Sequence, residues 1–424
     1  MLTLKLIQDN KDFVIERLSV KNFKAETIVG KIIELDNLRK SIQTKLDNIS
    51  SELNKVSKEI GIFMKSGQTA QAEEAKQKTT SLKEDITKLT KQQVDNEKEL
   101  YDILVTLPNL PHESVPAGKS AENNVIVRTG GPEIKANESM VPHWDLAKKY
   151  DIIDFDLGNK ITGAGFPVYK GKGAKLQRAL ISFFLDEATK AGFCEVIPPF
   201  MVNEDSGFGT GQLPDKEGQM YHATLDNFYL IPTAEVPVTN IFRDVVLNES
   251  EFPVKYTAYT PCFRREAGSY GKDVRGLNRL HQFDKVEIVV IENPEKSYAQ
   301  LENMVSHVES LVQKLNLPYR ILRLCGGDMS FTSALTYDFE VFSAAQNRWL
   351  EVSSVSNFES FQANRLKLRY KSETTKKNQL AHTLNGSALA LPRIVAALLE
   401  NNQVADGINI PEVLVPYTGF SKID

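Results

Sequence analysis

Two neighbouring segments near the start of the chain carry apolar residues at alternating steps of four and three, separated by Ser66, Gly67 and Gln68. This heptad spacing is typical of long helices that pack along a narrow seam. The first seam comprises Ile28, Ile32, Leu35, Ile42, Leu46, Ile49, Leu53, Val56, Ile60 and Phe63. The second comprises Ala72, Ala75, Thr79, Leu82, Ile86, Leu89, Gln93, Asn96, Leu100, Ile103 and Leu107. The short break favours an antiparallel hairpin, although periodicity alone also allows a coiled coil between two chains.

The predicted arm has a definite length and a clear end. A first helix of about 38 residues, rising about 1.5 Å per residue, gives an arm of about 55–60 Å. Three seam positions are polar and can fix the register of the helices at some cost in stability: Arg39, Gln93 and Asn96. Prolines that cannot continue a helix follow at Pro108, Pro111 and Pro116. We therefore predict an N-terminal domain over residues 1–104, a linker over 105–122 and a second domain over 123–424.

The composition limits the classes of protein to which the chain can belong. Its 424 residues, 41% hydrophobic and 25% charged, are enough to bury more than one core. The formal net charge of −4 lacks the basic character of many nucleic-acid-binding proteins, so any basic surface must be local. No run approaches the ~18 apolar residues that span a bilayer, and the first residues do not resemble a signal peptide. These features predict a soluble, cytoplasmic protein.

The cysteines give no sign of a disulfide framework or a zinc site. Cys194, Cys262 and Cys325 are far apart in the sequence and odd in number. They form no CxxC pair, and no histidine lies at zinc-finger spacing from any of them. This pattern predicts buried or inert thiols in a reducing compartment.

The rest of the chain mixes helical and strand patterns. Helical periodicity is found over residues 175–192 and 389–403, whereas strands are predicted over 194–197, 256–263 and 282–291. Because successive strands are joined without regular intervening helices, we predict an antiparallel sheet flanked by helices, of the α+β class, rather than a doubly wound parallel sheet.

Two common nucleotide-binding loops are absent from the sequence. There is no Gly-x-x-x-x-Gly-Lys-Ser/Thr loop, and no GxGxxG follows a predicted strand. Residues 207–214 are rich in glycine but contain no lysine that could reach a phosphate, so by themselves they indicate a flexible loop.

A candidate nucleotide-binding hairpin lies between residues 256 and 291. The first strand ends in Arg264, Arg265 and Glu266, and Phe283 lies at the start of the second. An arginine fork suits bidentate contact with phosphate, and a phenylalanine and a guanidinium plane can enclose a purine base. A plain hairpin with surface ion pairs is the alternative on composition alone.

A third segment, residues 382–393, predicts a strand that leads into a helix. Pro392 occupies the first turn, where proline is favoured, and Arg393 follows it. The positive end of a helix would add to the charge that Arg393 presents to an anionic ligand. A packing helix with one exposed arginine is the alternative.

Together these segments resemble the class II aminoacyl-tRNA synthetases. The Phe-Arg-x-Glu hairpin resembles motif 2, and Arg393, seven residues after Gly386, resembles motif 3. Pro199 is similar to the proline of motif 1, which lies at the dimer interface in that class. Within the class, the resemblance is to the bacterial-type seryl-tRNA synthetase family. It rests on the N-terminal arm, the 209–214 loop, Thr233-Ala234-Glu235 and Glu351-Val352-Ser353-Ser354.

The resemblance implies an activity and partners. A member of this family activates L-serine with ATP to seryl-adenylate and pyrophosphate, and then transfers serine to the 3′-terminal adenosine of tRNA(Ser). Charging of tRNA(Sec) stays open. The resemblance also implies a homodimer formed by the catalytic domain, Mg²⁺ bound at Glu351 and Ser354, and an arm that grips the tRNA. A rarer, zinc-dependent form uses a cysteine ligand in its serine pocket, and since nothing here matches it, we expect no zinc.

The resemblance also implies roles for individual residues. Arg264 is expected at the α-phosphate, Arg279 at the γ-phosphate, and Arg393 on one face of adenine opposite Phe283. Glu266 is expected to accept from the adenine amino group. The implied ATP-binding positions are Arg264, Arg265, Glu266, Phe283, Glu351, Val352, Ser353, Ser354 and Arg393. The implied serine-binding positions are Thr233, Ala234, Glu235, Glu287, Asn385 and Ser387.

Other functions stay open at this point. A non-catalytic RNA-binding or scaffold protein could have kept the same fold, although the intact arginines argue against it. A purely structural coiled-coil protein is disfavoured because the arm is only about a quarter of the chain. Threonine or proline specificity within class II gains no support from the arm.

Overall fold

The computed structural model describes residues 1–133, 139–215, 218–266 and 275–424. The middle of the predicted nucleotide-binding hairpin, residues 267–274, therefore lies outside the described residues. The chain divides into two compact units. One combines Met1–Ser19 with Phe23–Pro108, and the other combines Val20–Asn22 with Asn109–Asp424. Within the described ranges, no helix has the length and apolar character needed to cross a membrane.

The first unit is helical. Its helices are α1 Leu4–Asp9, α2 Lys11–Val20, α3 Glu26–Lys65 and α4 Thr69–Leu104. The long helices α3 and α4 pack against each other as an antiparallel pair, which confirms the predicted coiled-coil arm. Seam residues such as Ile32, Ile42 and Leu100 are buried against the opposite helix, whereas most of the other positions on α3 and α4 are exposed.

The polar residues of the seam make different kinds of contact. Asn96 Nδ2 donates to the backbone oxygen of Leu35 at 3.0 Å, a contact between the helices that depends on their register. Arg39 instead turns back along its own helix to the buried carboxylate of Asp36 at 2.8 Å, which Lys40 also contacts. Burial alone would raise the pKa of Asp36, but the hydrogen bonds from Lys40 and Arg39 outweigh it and lower that pKa.

The second unit combines helices with a large sheet. Its helices are α5 His143–Lys149, α6 Phe155–Ile161, α7 Gly171–Lys190, α8 Glu204–Thr210, α9 Glu235–Asn240, α10 Ser297–Lys314, α11 Ser360–Leu366, α12 Leu391–Asn401 and α13 Val415–Thr418. The strands of its main sheet are β1 Val125–Gly130, β4 Cys194–Glu195, β9 Val254–Phe263, β10 Gln282–Glu292, β11 Tyr319–Arg323, β12 Leu335–Ser343, β13 Arg348–Asn357 and β16 His382–Ala390. Its short strands are β2 Ile153–Asp154, β3 Val168–Tyr169, β5 Met201–Val202, β6 His222–Ala223, β7 Phe228–Leu230, β8 Val246–Asn248, β14 Arg369–Lys371, β15 Asn378–Leu380, β17 Gln403–Val404, β18 Gly407–Asn409 and β19 Lys422–Ile423.

The main sheet has eight strands in the order β1-β11-β12-β13-β16-β10-β9-β4. Its neighbouring strands are antiparallel except for β4 and β9, which run parallel at one edge. The predicted α+β fold with an antiparallel sheet is therefore confirmed. Pairing of β9 with β10 brings Phe283 opposite Cys262, so the predicted hairpin strands are neighbours.

The two faces of the sheet differ in character, and this difference positions the site. Along β10, Val286, Ile288 and Val290 are buried in the core beneath helices α7, α10 and α12. Because side chains alternate along a strand, Phe283 and Glu287 project from the opposite face. The apolar face packs against the helices, so the opposite face can carry the polar side chains of the site.

One local prediction is wrong. The glycine-rich stretch read as a flexible loop begins inside helix α8, which Asn203 caps by accepting from the backbone nitrogen of Ser206 at 3.0 Å. The helix ends at Gly211, whose φ of +90° favours glycine. Gly209 allows close packing, since a Cβ there would lie 2.5 Å from Leu366. The glycines here serve packing and termination of a helix, rather than flexibility.

Candidate active site

A cleft of about 630 Å³ opens on the polar face of the central strands β10, β13 and β16. It gathers the site residues predicted from the sequence, with two exceptions. Ala234 is fully buried at the start of α9. Arg265 is exposed, and its backbone nitrogen donates to the backbone oxygen of Gln219 at 2.8 Å. The predicted residues that line the cleft are Thr233, Glu235, Arg264, Glu266, Arg279, Phe283, Glu287, Glu351, Val352, Ser353, Ser354, Asn385, Ser387 and Arg393.

One half of the cleft surrounds the carboxylate of Glu287, which is almost completely buried. Lys285 Nζ lies 2.6 Å from it, and Asn385 Nδ2 donates to it at 2.9 Å. The hydroxyl groups of Thr233 and Ser387 donate at 3.3 and 3.4 Å. Lys285 also donates to the Thr233 oxygen at 2.8 Å. A buried carboxylate is stable only with such partners, and the set forms a preorganised polar pocket.

A second carboxyl group, that of Glu235, is buried beside this pocket. Gln362 Nε2 donates to it at 2.6 Å. Burial, together with repulsion from the carboxylate of Glu287, raises the pKa of Glu235 to about 7. The side chain therefore changes charge near neutral pH, which is unusual for a glutamate.

This shifted pKa predicts how stability depends on pH. Between the ordinary value of 4.5 and about 7, the folded chain retains a proton on Glu235 that the unfolded chain has lost. The contribution of Glu235 to the free energy of unfolding should therefore fall as pH rises through this interval. The Glu235→Gln variant keeps the contact with Gln362 without the charge. Its free energy of unfolding, relative to that of the parent chain, should therefore increase as the pH rises. Urea unfolding of both proteins across the interval measures this difference, and parallel curves would contradict it.

The other half of the cleft contains arginines and an aromatic ring. The Arg264 guanidinium carbon lies 5.2 Å from the centre of the Phe283 ring. Arg279 Nη1 donates to the carboxylate of Glu266 at 2.9 Å. Arg393, in the first turn of α12, donates from Nη1 to the backbone oxygen of Glu351 at 2.8 Å. One arginine therefore lies over the Phe283 ring, and all three arginines line the cleft.

An irregularity in β13 brings Glu351 and Ser354 to the same face. On a regular strand, residues three apart point to opposite faces. The pairing of β12 with β13 shifts between Phe339 and Glu340, so that Val352 is one extra residue on β13. A bulge of this kind reverses the alternation of side chains. Both oxygen-bearing groups consequently line the cleft.

Lys285 and Asp338 are among the cleft residues that the sequence reasoning missed. Lys285 lies on β10 between Phe283 and Glu287, so alternation along the predicted strand could have placed it in the site. Asp338 pairs with Ser354 across β12 and β13, and accepts from its hydroxyl group. Burial and the nearby Glu351 carboxylate raise the pKa of Asp338 well above its usual value. Because this contact depends on strand pairing, no local pattern indicates it.

Comparisons with known proteins match both units. A family described as the seryl-tRNA synthetase N-terminal domain matches residues 1–111. The class II tRNA synthetase core domain (G, H, P, S and T) matches residues 221–402. A serine–tRNA ligase from Salinibacter ruber is 49% identical over 424 residues, which is 100% of this chain and 99% of that protein. The chain belongs to the seryl-tRNA synthetase family.

Solved structures agree with this assignment. The crystal structure of seryl-tRNA synthetase from Pyrococcus horikoshii complexed with ATP has a TM-score of 0.92 at 34% identity, covering 100% of this chain and 99% of that one. The cytoplasmic serine–tRNA ligase from Naegleria fowleri in complex with AMP has a TM-score of 0.89 at 27% identity, with the same coverage. The predicted family and the predicted class II ligase activity are thus confirmed.

Proposed function

We propose that the chain activates L-serine with ATP, releasing pyrophosphate, and then transfers serine to the 3′-terminal adenosine of tRNA(Ser). The main support is a single cleft with two chemically different halves. One half centres on the buried carboxylate of Glu287, and the other on Arg264, Phe283 and Arg393. The first suits the amino and hydroxyl groups of serine, and the second suits a nucleoside triphosphate.

Exchange of labelled pyrophosphate into ATP, measured with a panel of amino acids, tests this proposal. Serine should support exchange far better than threonine or proline. Exchange that depends equally on threonine or proline would indicate another class II specificity. A chain that exchanges with no amino acid would instead support the non-catalytic alternative.

The first chemical step needs positioning and charge neutralisation more than acid–base catalysis. The serine carboxylate is already an anion at neutral pH, so its oxygen can attack the α-phosphorus without a general base. A new P–O bond forms while the bond to pyrophosphate breaks. In the second step, the terminal ribose hydroxyl of the tRNA attacks the acyl carbon, and AMP leaves.

We assign Arg264 to the α-phosphate, where negative charge rearranges during this step. Removal of a group that stabilises transition-state charge typically lowers the rate by ~10²–10³, so Arg264→Ala should slow pyrophosphate exchange by that factor. Arg264→Lys keeps the charge but loses the planar fork, and should be intermediate. Arg178→Ala, an exposed arginine on α7, is the control. An exchange rate near normal in Arg264→Ala would refute the assignment.

The remaining residues of this half are assigned to the nucleotide. Phe283 is proposed to stack on one face of adenine and Arg393 to cover the other, while Glu266 accepts from the amino group. Arg279 is proposed at the γ-phosphate. Arg279 pairs with Glu266, so contacts of these two side chains with a nucleotide would replace this internal ion pair.

Mg²⁺ is proposed at Glu351 and Ser354. Both offer hard oxygen atoms to the cleft, and the Glu351 side chain is half-exposed there. Within the described part of the chain, no cluster of three or more His, Cys, Asp or Glu side chains could hold a metal by itself. This suits Mg²⁺, which is commonly held by one or two protein groups together with substrate phosphates. The bound ion would neutralise charge on the phosphates.

The arm is proposed to bind the tRNA, as shape recognition of an RNA helix through its phosphates. Cationic residues that we assign to this surface are Lys31, Arg39, Lys40, Lys45, Lys55, Lys58, Lys65, Lys76, Lys78, Lys83, Lys88 and Lys91. Several, including Lys31, Lys40 and Lys78, are paired with carboxylates. Among the described residues, Lys55, Lys58 and Lys65 have no ion-pair partner, and their spacing places them on one helix face.

A homodimer through the catalytic unit is also proposed. An apolar groove of about 530 Å³ lies beside Pro199. Ile197 is 84% exposed, and Met201, Phe228 and Ile241 are each more than 40% exposed. Contiguous exposed apolar residues of this kind commonly mark a protein interface, and a two-fold axis would pair the groove with its own copy.

A further inference from the structure

We propose that His143 is a positioning residue for the nucleotide half of the cleft, an inference that rests on the proposed ATP-dependent activity. His143 begins α5, and its ring is completely buried behind the cleft rather than in its wall. It bridges two elements that matter for the site. One is α12, which carries Arg393, and the other is the segment Leu277–Asn278 that precedes β10.

Its hydrogen bonds fix one tautomer of the ring. The backbone nitrogen of Leu277 donates to His143 Nε2 at 2.8 Å, so Nε2 must be unprotonated. Nδ1 lies 2.7 Å from Oε1 of Glu400, and therefore carries the proton and donates it. The neutral ring thus connects a carboxylate to a backbone amide in a defined orientation.

The Glu400 carboxylate, which accepts from this ring, is itself held by several hydrogen bonds. Besides Nδ1, the backbone nitrogen of His143 donates to Oε1 at 3.0 Å and Gln346 Nε2 at 3.1 Å, while the Ser343 hydroxyl donates to Oε2. Burial alone would raise the pKa of Glu400, but the hydrogen bonds from His143 and Ser343 outweigh it and lower that pKa. The carboxylate is therefore ionised, saturated with donors and held in place.

The same network reaches Arg393. Gln346, which donates to Glu400, accepts from Asn278 Nδ2 at 2.9 Å. The backbone oxygen of Asn278 accepts from Arg393 Nε at 3.0 Å. The 277–278 segment is thus held from behind by His143 and Gln346, and it holds the Arg393 guanidinium in turn. A shift of this segment would remove an acceptor that aims Arg393 into the cleft.

The packing around the ring shows that this contact is close. Gly276 has a φ of +64°, and a Cβ at this position would lie 2.2 Å from His143 Nε2. The backbone therefore approaches the ring as only glycine permits. On the preceding residue, the Arg275 guanidinium lies 4.6 Å from the centre of the Trp144 ring. The start of α5 consequently contacts the segment through two successive residues.

Two isosteric variants separate positioning from a general structural role. His143→Asn can still donate to Glu400 but leaves the Leu277 amide without its acceptor, whereas His143→Gln can place an oxygen near the Nε2 position. A buried amide that loses its acceptor typically changes an equilibrium constant by about tenfold or more. The KM for ATP in His143→Asn should therefore rise by about tenfold. His143→Gln should restore most of this loss, and the KM for serine should stay near normal in both.

Several outcomes decide the proposal. An unchanged KM for ATP in His143→Asn, or equal increases for ATP and serine, would overturn it. His307→Asn, at a half-buried histidine on α10, controls for loss of stability alone and should leave the KM for ATP unchanged. If His143→Asn does not fold, Gln346→Met can be used instead, because it removes the acceptor of Asn278 from a half-buried turn. This variant should raise the KM for ATP and leave the KM for serine near normal. An inactive parent chain would refute the proposed function, and calorimetric ATP binding to parent and variant would then decide the positioning role.

Discussion

Alanine should be activated ~10⁴–10⁵ less efficiently than serine, measured as kcat/KM in pyrophosphate exchange, because a pocket built to bind a hydroxyl group strongly rejects an analogue that lacks it. The structural reason is the dense set of hydrogen bonds around Glu287. Alanine would leave buried polar groups without a partner, and that cost is not offset elsewhere. Glycine should be activated poorly for the same reason, and threonine should be excluded by its additional methyl group.

A matched pair of variants locates the source of this discrimination. Thr233→Val and Thr257→Val each remove one buried hydroxyl that donates to Glu287. Thr233 contacts the carboxylate in the cleft, whereas Thr257 contacts the backbone oxygen. Thr233→Val should reduce the preference for serine by about tenfold, as expected for one lost polar contact, and Thr257→Val should preserve it. Efficient activation of alanine by the parent chain would show that the pocket is assigned wrongly.

Replacing residues 27–104 with a short linker should lower aminoacylation of tRNA(Ser) by ~10³ or more at low RNA concentration, since several phosphate contacts together supply at least that much affinity. Serine-dependent pyrophosphate exchange should be nearly unchanged, because no assigned catalytic residue lies in the arm. Near both cuts the two helices lie side by side, since Lys31 Nζ of α3 is 3.6 Å from Glu99 Oε1 of α4.

The chain that lacks residues 27–104 also tests the proposed dimer interface, and lysine variants of the full-length chain test the proposed role of the arm in RNA binding. Light scattering should show that it remains a dimer, whereas a monomer would point to association through the coiled coil. The triple variant K55Q/K58Q/K65Q should reproduce part of the loss of aminoacylation, with a shallower salt dependence of RNA binding. Aminoacylation at close to the full-length rate by the excised chain would refute the role of the arm.

The arm and the central strands could be predicted because their signals are local. Heptad spacing led to α3 and α4, and the strand pattern of residues 282–291 led to β10. The predicted strand at 194–197 was correct in type, but the strand itself comprises only Cys194–Glu195, which runs parallel to β9 at a sheet edge. Strand length at an edge depends on the neighbour, and sequence periodicity carries no information about it.

The features that escaped sequence reasoning depend on residues distant in the chain. Helix α8 was misread because Gly209 packs against Leu366, more than 150 positions away. The bulge at Val352 could not be foreseen, since it is defined by pairing with β12. His143 lies about 130 residues before Leu277 and 260 before Glu400, so its role depends on tertiary contacts.

The position of β16 has a consequence for how the protein is made. It is the last strand of the main sheet along the chain, yet it lies in the middle, between β13 and β10. During synthesis, β9 can pair with β10, and β11 with β12 and β13, but the two halves cannot join until His382–Ala390 has emerged. Each half meanwhile exposes an unpaired edge that invites aggregation. A chain that ends before residue 390 therefore contains the whole arm, but it lacks Arg393 and part of the strand that joins the two halves of the sheet.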